Sequence, residues 1–373
     1  MVTAAQPLAL TVPRRRAPAV RHLGPNWYAA VMGTAILATA GAGLPGAARI
    51  PALRTVCAGV WALSLVLLVA LLCARAVHWI HHRDQARAHL DDPGTAPFYG
   101  CLAMALLAVG GGAVVVGRDW IGSGPALVLD AVLFTAGTVS GLVVAVTVPY
   151  LMIVRHRIEP GQATPVWLLP LVAPMVSAAQ GPLLVPHLPA GQPRETLLLA
   201  SFALFGASLL ATLTMLPLVV ARLFTAGPLP LPLTPVLFLV LGPLGQSTTA
   251  VAAAAHAATG VVPGPYARGL GVLAVLYGVP VLGFALLWLG LATALVVRAR
   301  RRGMGFAMTW WAFTFPVGTC VTAAEALALR TGLAAFDGLA IGLYAVLLAA
   351  WCFAAAGTGR GVVNGELLAA PRR

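Results

Sequence analysis

Apolar stretches of about 20 residues recur along the whole chain, each long enough to cross the roughly 30 Å hydrocarbon core of a bilayer. Ten are read, at 27–44, 56–76, 99–117, 125–154, 166–185, 197–221, 233–257, 270–297, 305–329 and 338–356. Turn-rich segments separate them, among them Asp91-Asp92-Pro93-Gly94 and 186–193. Only 9% of the 373 residues are charged, where a soluble domain carries about a quarter. Soluble folding is excluded, and the expected class is an all-α integral membrane protein in a lipid bilayer. The expected organisation is a disordered cytoplasmic tail over 1–24, a ten-helix transmembrane domain over 25–357, and a cytoplasmic tail over 358–373. Arg14, Arg15, Arg16 and Arg21 precede the first apolar run, as in a signal peptide. That run exceeds a usual signal core and another span follows it, so it is read as a retained helix.

The net charge of +13 and pI near 10.9 are carried entirely by arginine on the basic side. The arginines fall in short clusters between apolar runs, which is a topology signal and excludes a nucleic-acid-binding face. If the N-terminus lies inside, seventeen arginines lie on the inner side, in clusters such as Arg83 with Arg87 and Arg298 with Arg300, Arg301 and Arg302. Six lie outside: Arg49, Arg54, Arg118, Arg194, Arg268 and Arg330. This asymmetry predicts an even number of spans in the plasma (inner) membrane with both termini in the cytoplasm. The five cysteines all fall in apolar segments without CxxC spacing, so no metal or disulfide framework is expected.

Helix-disturbing and polar residues concentrate in the odd-numbered spans. Gly33 and Thr34 mark the first, Gly110, Gly111 and Gly112 the third, and Pro170, Pro174, Ser177, Gln180 and Gly181 the fifth. The seventh holds Gly242, Pro243, Gly245, Gln246 and Ser247, and the ninth Thr314, Pro316, Gly318, Thr319 and Thr322. Even spans are mostly Leu, Val and Ala. Freed backbone groups in a membrane must be satisfied by protein or water. The economical arrangement is five helical hairpins, with the odd helices inside and the even helices facing lipid.

Ionisable residues within spans are few: Asp130, His256 and Glu325. All lie toward the outer ends of their helices. Asp130 is read as a carboxylate reaching the outer interface, and Glu325 is within reach of Arg330; the three are the candidates for proton coupling, should transport use it. The cluster His78-Trp79-Ile80-His81-His82 has the HxxHH spacing of a membrane di-iron enzyme. Such a site needs several boxes, and the other histidines are scattered singly, so the cluster reads as interfacial and no cofactor is expected.

The start of the first span, Pro25-Asn26-Trp27-Tyr28-Ala29-Ala30-Val31-Met32-Gly33-Thr34, resembles that of the tellurite-resistance/dicarboxylate transporter family. Gly242-Pro243-Leu244-Gly245-Gln246-Ser247 and Trp310-Trp311-Ala312-Phe313-Thr314-Phe315-Pro316-Val317-Gly318-Thr319 are similar to the same family, as is the Pro170, Pro174, Ser177 pattern. Plant slow anion channels and fungal malate and sulfite permeases share its superfamily. The resemblance implies ten helices in five hairpins, a central pore in each protomer, a homotrimer, and a phenylalanine of the ninth helix plugging the pore. Phe315 is preferred over Phe313 for that plug, because it adjoins the Pro316 step. Expected pore-lining residues are Gly33, Thr34, Gly111, Pro174, Ser177, Gly245, Gln246, Ser247, Gly318 and Thr319. The expected activity is transport of small anions, C4-dicarboxylate, sulfite or a similar oxyanion, with a passive anion channel of the same family as the alternative.

Overall fold

The structure is a computed structural model and describes residues 20–159 and 161–368. Among these the chain is helical, with nine helices long and apolar enough to span a membrane. Residues 1–19 of the expected tail lie outside the described residues. The segment that follows is packed: Leu23 is buried, Arg75 donates to its carbonyl at 2.6 Å, and His78 Nδ1 donates to the Val20 carbonyl at 2.8 Å.

The principal helices are α1 (Tyr28–Gly43), α2 (Pro51–His81), α3 (Arg83–Asp91), α4 (Gly100–Gly112), α5 (Arg118–Ile121) and α6 (Ser123–Val154). There follow α7 (Leu168–Leu184), α8 (Gln192–Ala226), α9 (Leu241–Ala257), α10 (Gly264–Arg301), α11 (Phe315–Thr331) and α12 (Ala334–Val363). α12 runs past the expected boundary at residue 358. α1 has 16 residues and is led by a 3-10 turn, Pro25–Trp27, of 3.

Burial alternates along the chain. The apolar windows of α2, α6, α8, α10 and α12 are only 17 to 28% buried. Those of the spans containing α4, α7, α9 and α11 are 72 to 83% buried, and 12 of the 16 residues of α1 are buried as well. The buried helices touch in a closed order, α1 to α4, α4 to α7, α7 to α9, α9 to α11 and α11 back to α1. Each exposed helix packs on the buried helix before it and on the one after.

The glycine- and proline-rich turns lie within continuous buried spans except at Thr314, a turn residue between the 3-10 segment Met308–Phe313 and α11. Each buried span opens with a 3-10 segment, such as Leu231–Val240 before α9 and Met308–Phe313 before α11. A 3-10 turn tolerates these residues without exposing its backbone. After Gly110, Gly111 and Gly112, α4 continues through a π turn, Ala113–Gly117. Trp61 of α2 fills the groove this leaves, lying against Gly112 and Gly117 and donating to the Val109 carbonyl at 3.0 Å.

Glycine permits the close approach of buried neighbours. A Cβ at Gly100 would sit 2.5 Å from the Leu169 carbonyl oxygen of α7, and backbone of this kind yields little. Gly206, on the lipid-facing side of α8, has nothing within 4 Å of such a Cβ. Gly100→Ala should therefore cost roughly 1–3 kcal/mol. Gly206→Ala should be neutral or stabilise by up to about 1 kcal/mol. Melting of the two purified variants in detergent checks the contrast.

Candidate functional site

The site is the interior of the ring of buried helices, and its lining follows from register. A Cβ at Gly318 of α11 would lie 2.5 Å from Ile36 Cγ1 of α1, while Thr319 abuts Gly245 of α9 and donates to the Leu241 carbonyl at 3.3 Å. Successive residues of an α-helix are about 100° apart. The sector between these two contacts faces inward and contains Phe315, Thr322, Ala326 and Leu329. The Phe315 ring is 2% exposed. Phe313 lies in the preceding 3-10 segment, where its ring meets Phe238 edge-on at 4.7 Å and Trp310 at 5.8 Å.

On α9, Ser247 accepts a 2.8 Å hydrogen bond from Tyr277 of α10, and Thr248 lies against Gly278 of the same outer helix. The opposite sector contains Gly242, Thr249 and Ala253. Gly242 is buried, yet a Cβ there would meet no atom within 4 Å. The other buried glycines of α1, α4, α9 and α11 all have a neighbour closer than 3 Å. Gly242 thus borders an internal void at the first turn of α9. About two turns further on, the Thr249 and Thr322 hydroxyls share a 2.9 Å hydrogen bond across the α9–α11 seam.

The residues expected to line a pore fall into two groups with different work. Gly33 closes on Thr314 and Trp311, Gly111 on Gln180, Gly245 on Thr319 and Gly318 on Ile36, so these glycines set the ring's contacts. Thr34, Ser177 and Ser247 turn outward. Thr34 accepts from the Trp351 indole at 3.0 Å and Ser177 from Thr138 at 3.0 Å, so both bind outer helices, as Ser247 does. Pro174 is buried inside α7 and Gln246 is buried with its carbonyl oxygen unpartnered. Gly242, Thr249 and Thr322 are the inward residues that the sequence reading did not assign. Gly242 opens a recognisable motif, and Thr322 stood among the polar residues of its span. Nothing in the Ser247-Thr248-Thr249 run marked which hydroxyl turns inward.

A profile described as voltage-dependent anion channel matches residues 22–359. The chain belongs to the voltage-dependent anion channel family. Similar proteins include an uncharacterized transporter of Methanocaldococcus jannaschii, 27% identical over 350 residues, covering 93% of this chain and 96% of that one. A sulfite efflux pump of Arthroderma otae is 25% identical over 339 residues, 89% of each chain, and one of Trichophyton rubrum is likewise 25% identical. This is a family of channels and transporters, and the protein is a multi-pass membrane protein of anion transport, not an enzyme.

The ionisable residues of this family member sit apart from one another. Asp130 does not reach the interface: it is fully buried against Gly110 of α4, with both carboxyl oxygens unpartnered. Glu325 is turned toward Gly43 of α1 and Arg330 toward the Ala252 carbonyl of α9, so the expected pairing between them is not formed. His256 is exposed at the outer end of α9.

The histidine cluster is a corner joint. His78 stacks on His89 of α3 at 5.4 Å and tilts toward His82 at 6.1 Å. No group of three metal-binding side chains occurs among the described residues. Burial, aided by the Arg75 and His78 charges, pushes His89 down to about 4. Its neutral form is the one the fold accepts. The contribution to stability is therefore present above the ordinary value near 6.5 and is lost as pH falls toward 4. Thermal melting should fall between pH 7 and pH 5 in the parent, and fall less in His89→Asn, which keeps a polar side chain without titrating.

Proposed function

We propose that the chain conducts small oxyanions, sulfite or a C4-dicarboxylate among them, along the axis of the buried ring, with Phe315 as the plug. The observation that carries this reading is the inward stripe of Phe315, Thr322 and Ala326 on α11, facing the void beside Gly242 on α9. A phenyl ring at this level fills the conduit with apolar atoms, so an anion must shed water to pass. The inward polar groups are hydroxyls, which bind an anion loosely enough to release it. The similarity to sulfite efflux pumps supports the choice of oxyanion cargo.

In this reading α1 is the tenth crossing. With its leading 3-10 turn it has 3 plus 16 residues, a rise of about 30 Å, which matches the hydrocarbon core. Five hairpins then enclose the pore, the buried helices run parallel, and the arginine-rich ends face the cytoplasm at the plasma membrane. Ion pairs Arg21–Asp84 and Arg155–Asp91 support a common side for the N-terminal segment, α3 and the end of α6. Parallel alignment puts five helix N-termini, each partly positive, at the cytoplasmic mouth, where they draw anions in. A homotrimer is carried over from the resemblance. Protons are not routed through Asp130, which faces the seam between α4 and α6.

Two variant pairs test the reading in proteoliposomes. Phe315→Ala should raise passive sulfite or chloride leak severalfold or more. Phe313→Ala should leave leak near the parent's and cost on the order of 3 kcal/mol in stability. Equal tightness of both, in folded protein, removes the plug. Gly242→Leu should cut flux at least tenfold with melting unchanged, whereas Gly245→Ala, whose Cβ would lie 2.5 Å from the Thr319 backbone, should lower melting. Normal flux in Gly242→Leu would place the pathway elsewhere.

A further inference from the structure

Above the Thr249–Thr322 pair the seam between α9 and α11 opens into a cavity at the outer ends of both helices. Ala253, His256, Ala326, Leu329 and Arg330 line it, with Thr249 at its floor. Arg330 is half-buried, and its Nη2 donates to the Ala252 carbonyl at 2.9 Å. Its other guanidinium N–H groups make no hydrogen bond among the described residues, and no carboxylate pairs with it there.

A cation in the last turn of a helix is ordinarily a cap on its own carbonyls. Arg330 does something else, because the carbonyl it holds belongs to the neighbouring helix, a turn below that helix's end. The bond pins the guanidinium over the seam, with Nη1 on the side of Gly271 of α10, and its remaining N–H groups are left unbonded among the described residues. The helix ends here present carbonyl oxygens, which repel an anion. A fixed cation is what lets an anion rest at this level at all.

We propose that this cavity is an oxyanion station at the outer mouth, with Arg330 gripping two oxygens of the anion and the Thr249 hydroxyl, held in place by its hydrogen bond to Thr322, contacting it from below. The proposal rests on the conduction reading and deepens it by naming the residues that would select that class over a halide. A guanidinium fork matches a carboxylate or sulfite-type group with two oxygens, and gives a spherical halide no such match. The two hydroxyls already share one hydrogen bond, and each also lies near a carbonyl of its own helix, 3.2 Å for Thr249 and 3.1 Å for Thr322. The Thr249 hydroxyl can swing to a ligand while its partner keeps a backbone bond. Glu325 faces α1, away from the cavity, and adds no competing carboxylate to its lining.

The test uses the full chain in proteoliposomes, with initial rates measured against external sulfite and, separately, external chloride. Arg330→Gln should raise the half-saturating sulfite concentration about tenfold, the usual effect of losing a charge-assisted contact, and change that for chloride less than threefold. Arg330→Lys, which keeps the charge but not the fork, should also lower the preference for sulfite over chloride. Thr322→Val, close in shape, should weaken sulfite severalfold. An unchanged sulfite-to-chloride ratio in Arg330→Lys and Thr322→Val overturns the station, even if Arg330→Gln fails to fold. A second readout separates this from the conduction reading: sulfite should raise the melting temperature of the parent in nanodiscs and not that of Thr322→Val. If the parent passes neither anion but shows this shift, conduction fails and the station stands. Equal shifts in parent and variant overturn the station.

Discussion

The contact on which the structure depends is the approach of α9 to α11 at Gly245, where even a methyl group would collide with the Thr319 backbone at 2.5 Å. Lipid supplies no hydrophobic drive between membrane helices, so their association rests on dispersion and on a few polar bonds. Dispersion falls steeply with distance, which is why the same device recurs at Gly100 against Leu169 and at Gly318 against Ile36. Side chains that would otherwise separate the helices are absent at these points. The ring is thereby held at a fixed size, and the inward sector of each helix is fixed with it. Phe315 lies in that sector because Gly318 and Thr319 are committed to the two neighbours on either side.

The outer helices complete what the ring leaves undone. Trp61, Ser208 and Trp288 donate to the carbonyls of Val109, Leu171 and Leu237, and Tyr344 donates to that of Leu37. Each donor comes from a mainly lipid-facing helix and each acceptor from a buried span. In hydrocarbon a buried polar donor without a partner costs several kcal/mol, so these single bonds fasten an outer helix to its inner partner at a defined height. At the N-terminal ends of the α9 and α11 spans a run of rings, Phe306 to Trp310 to Phe313 to Phe238, joins the loop after α10 to the start of the α9 span, with Arg300 stacked 5.2 Å over Trp310. The 3-10 segment leading into α11 is held from both sides by this run.

The spans, their number to within the short first helix, and the division into inner and outer sets were legible because hydrophobicity and the placement of glycine and proline are properties of the chain itself. The rotation of each helix was not. Thr34, Ser177 and Ser247 are polar residues on inner helices, and polarity there has two causes, facing the interior or bonding an outer helix. Only the partners Trp351, Thr138 and Tyr277 decide between them. Phe313 and Phe315 are two residues apart; the sequence preferred Phe315 only for its place beside Pro316, and its direction around the helix came from the contacts of Gly318 and Thr319. Asp130 and Glu325 show the same limit, since depth along a helix was readable and direction around it was not.

The buried spans with four of the five inner helices are 23 to 27 residues long, whereas the outer helices have 30 to 38. At about 1.5 Å per α-helical and 2 Å per 3-10 residue, the outer helices exceed three of these four spans by roughly a helical turn or more. In the proposed conduction reading, water stands inside the wall at either end and the low-dielectric barrier along the axis is thinner than the membrane around it. A transmembrane voltage falls where the dielectric is low, and each charge crossing the full potential gains about 2.3 kcal/mol per 100 mV. On the proposed conduction path that drop is concentrated between the level of Phe315 and the level of Thr322, so an anion carried as proposed would feel the membrane potential most sharply beside the phenyl ring.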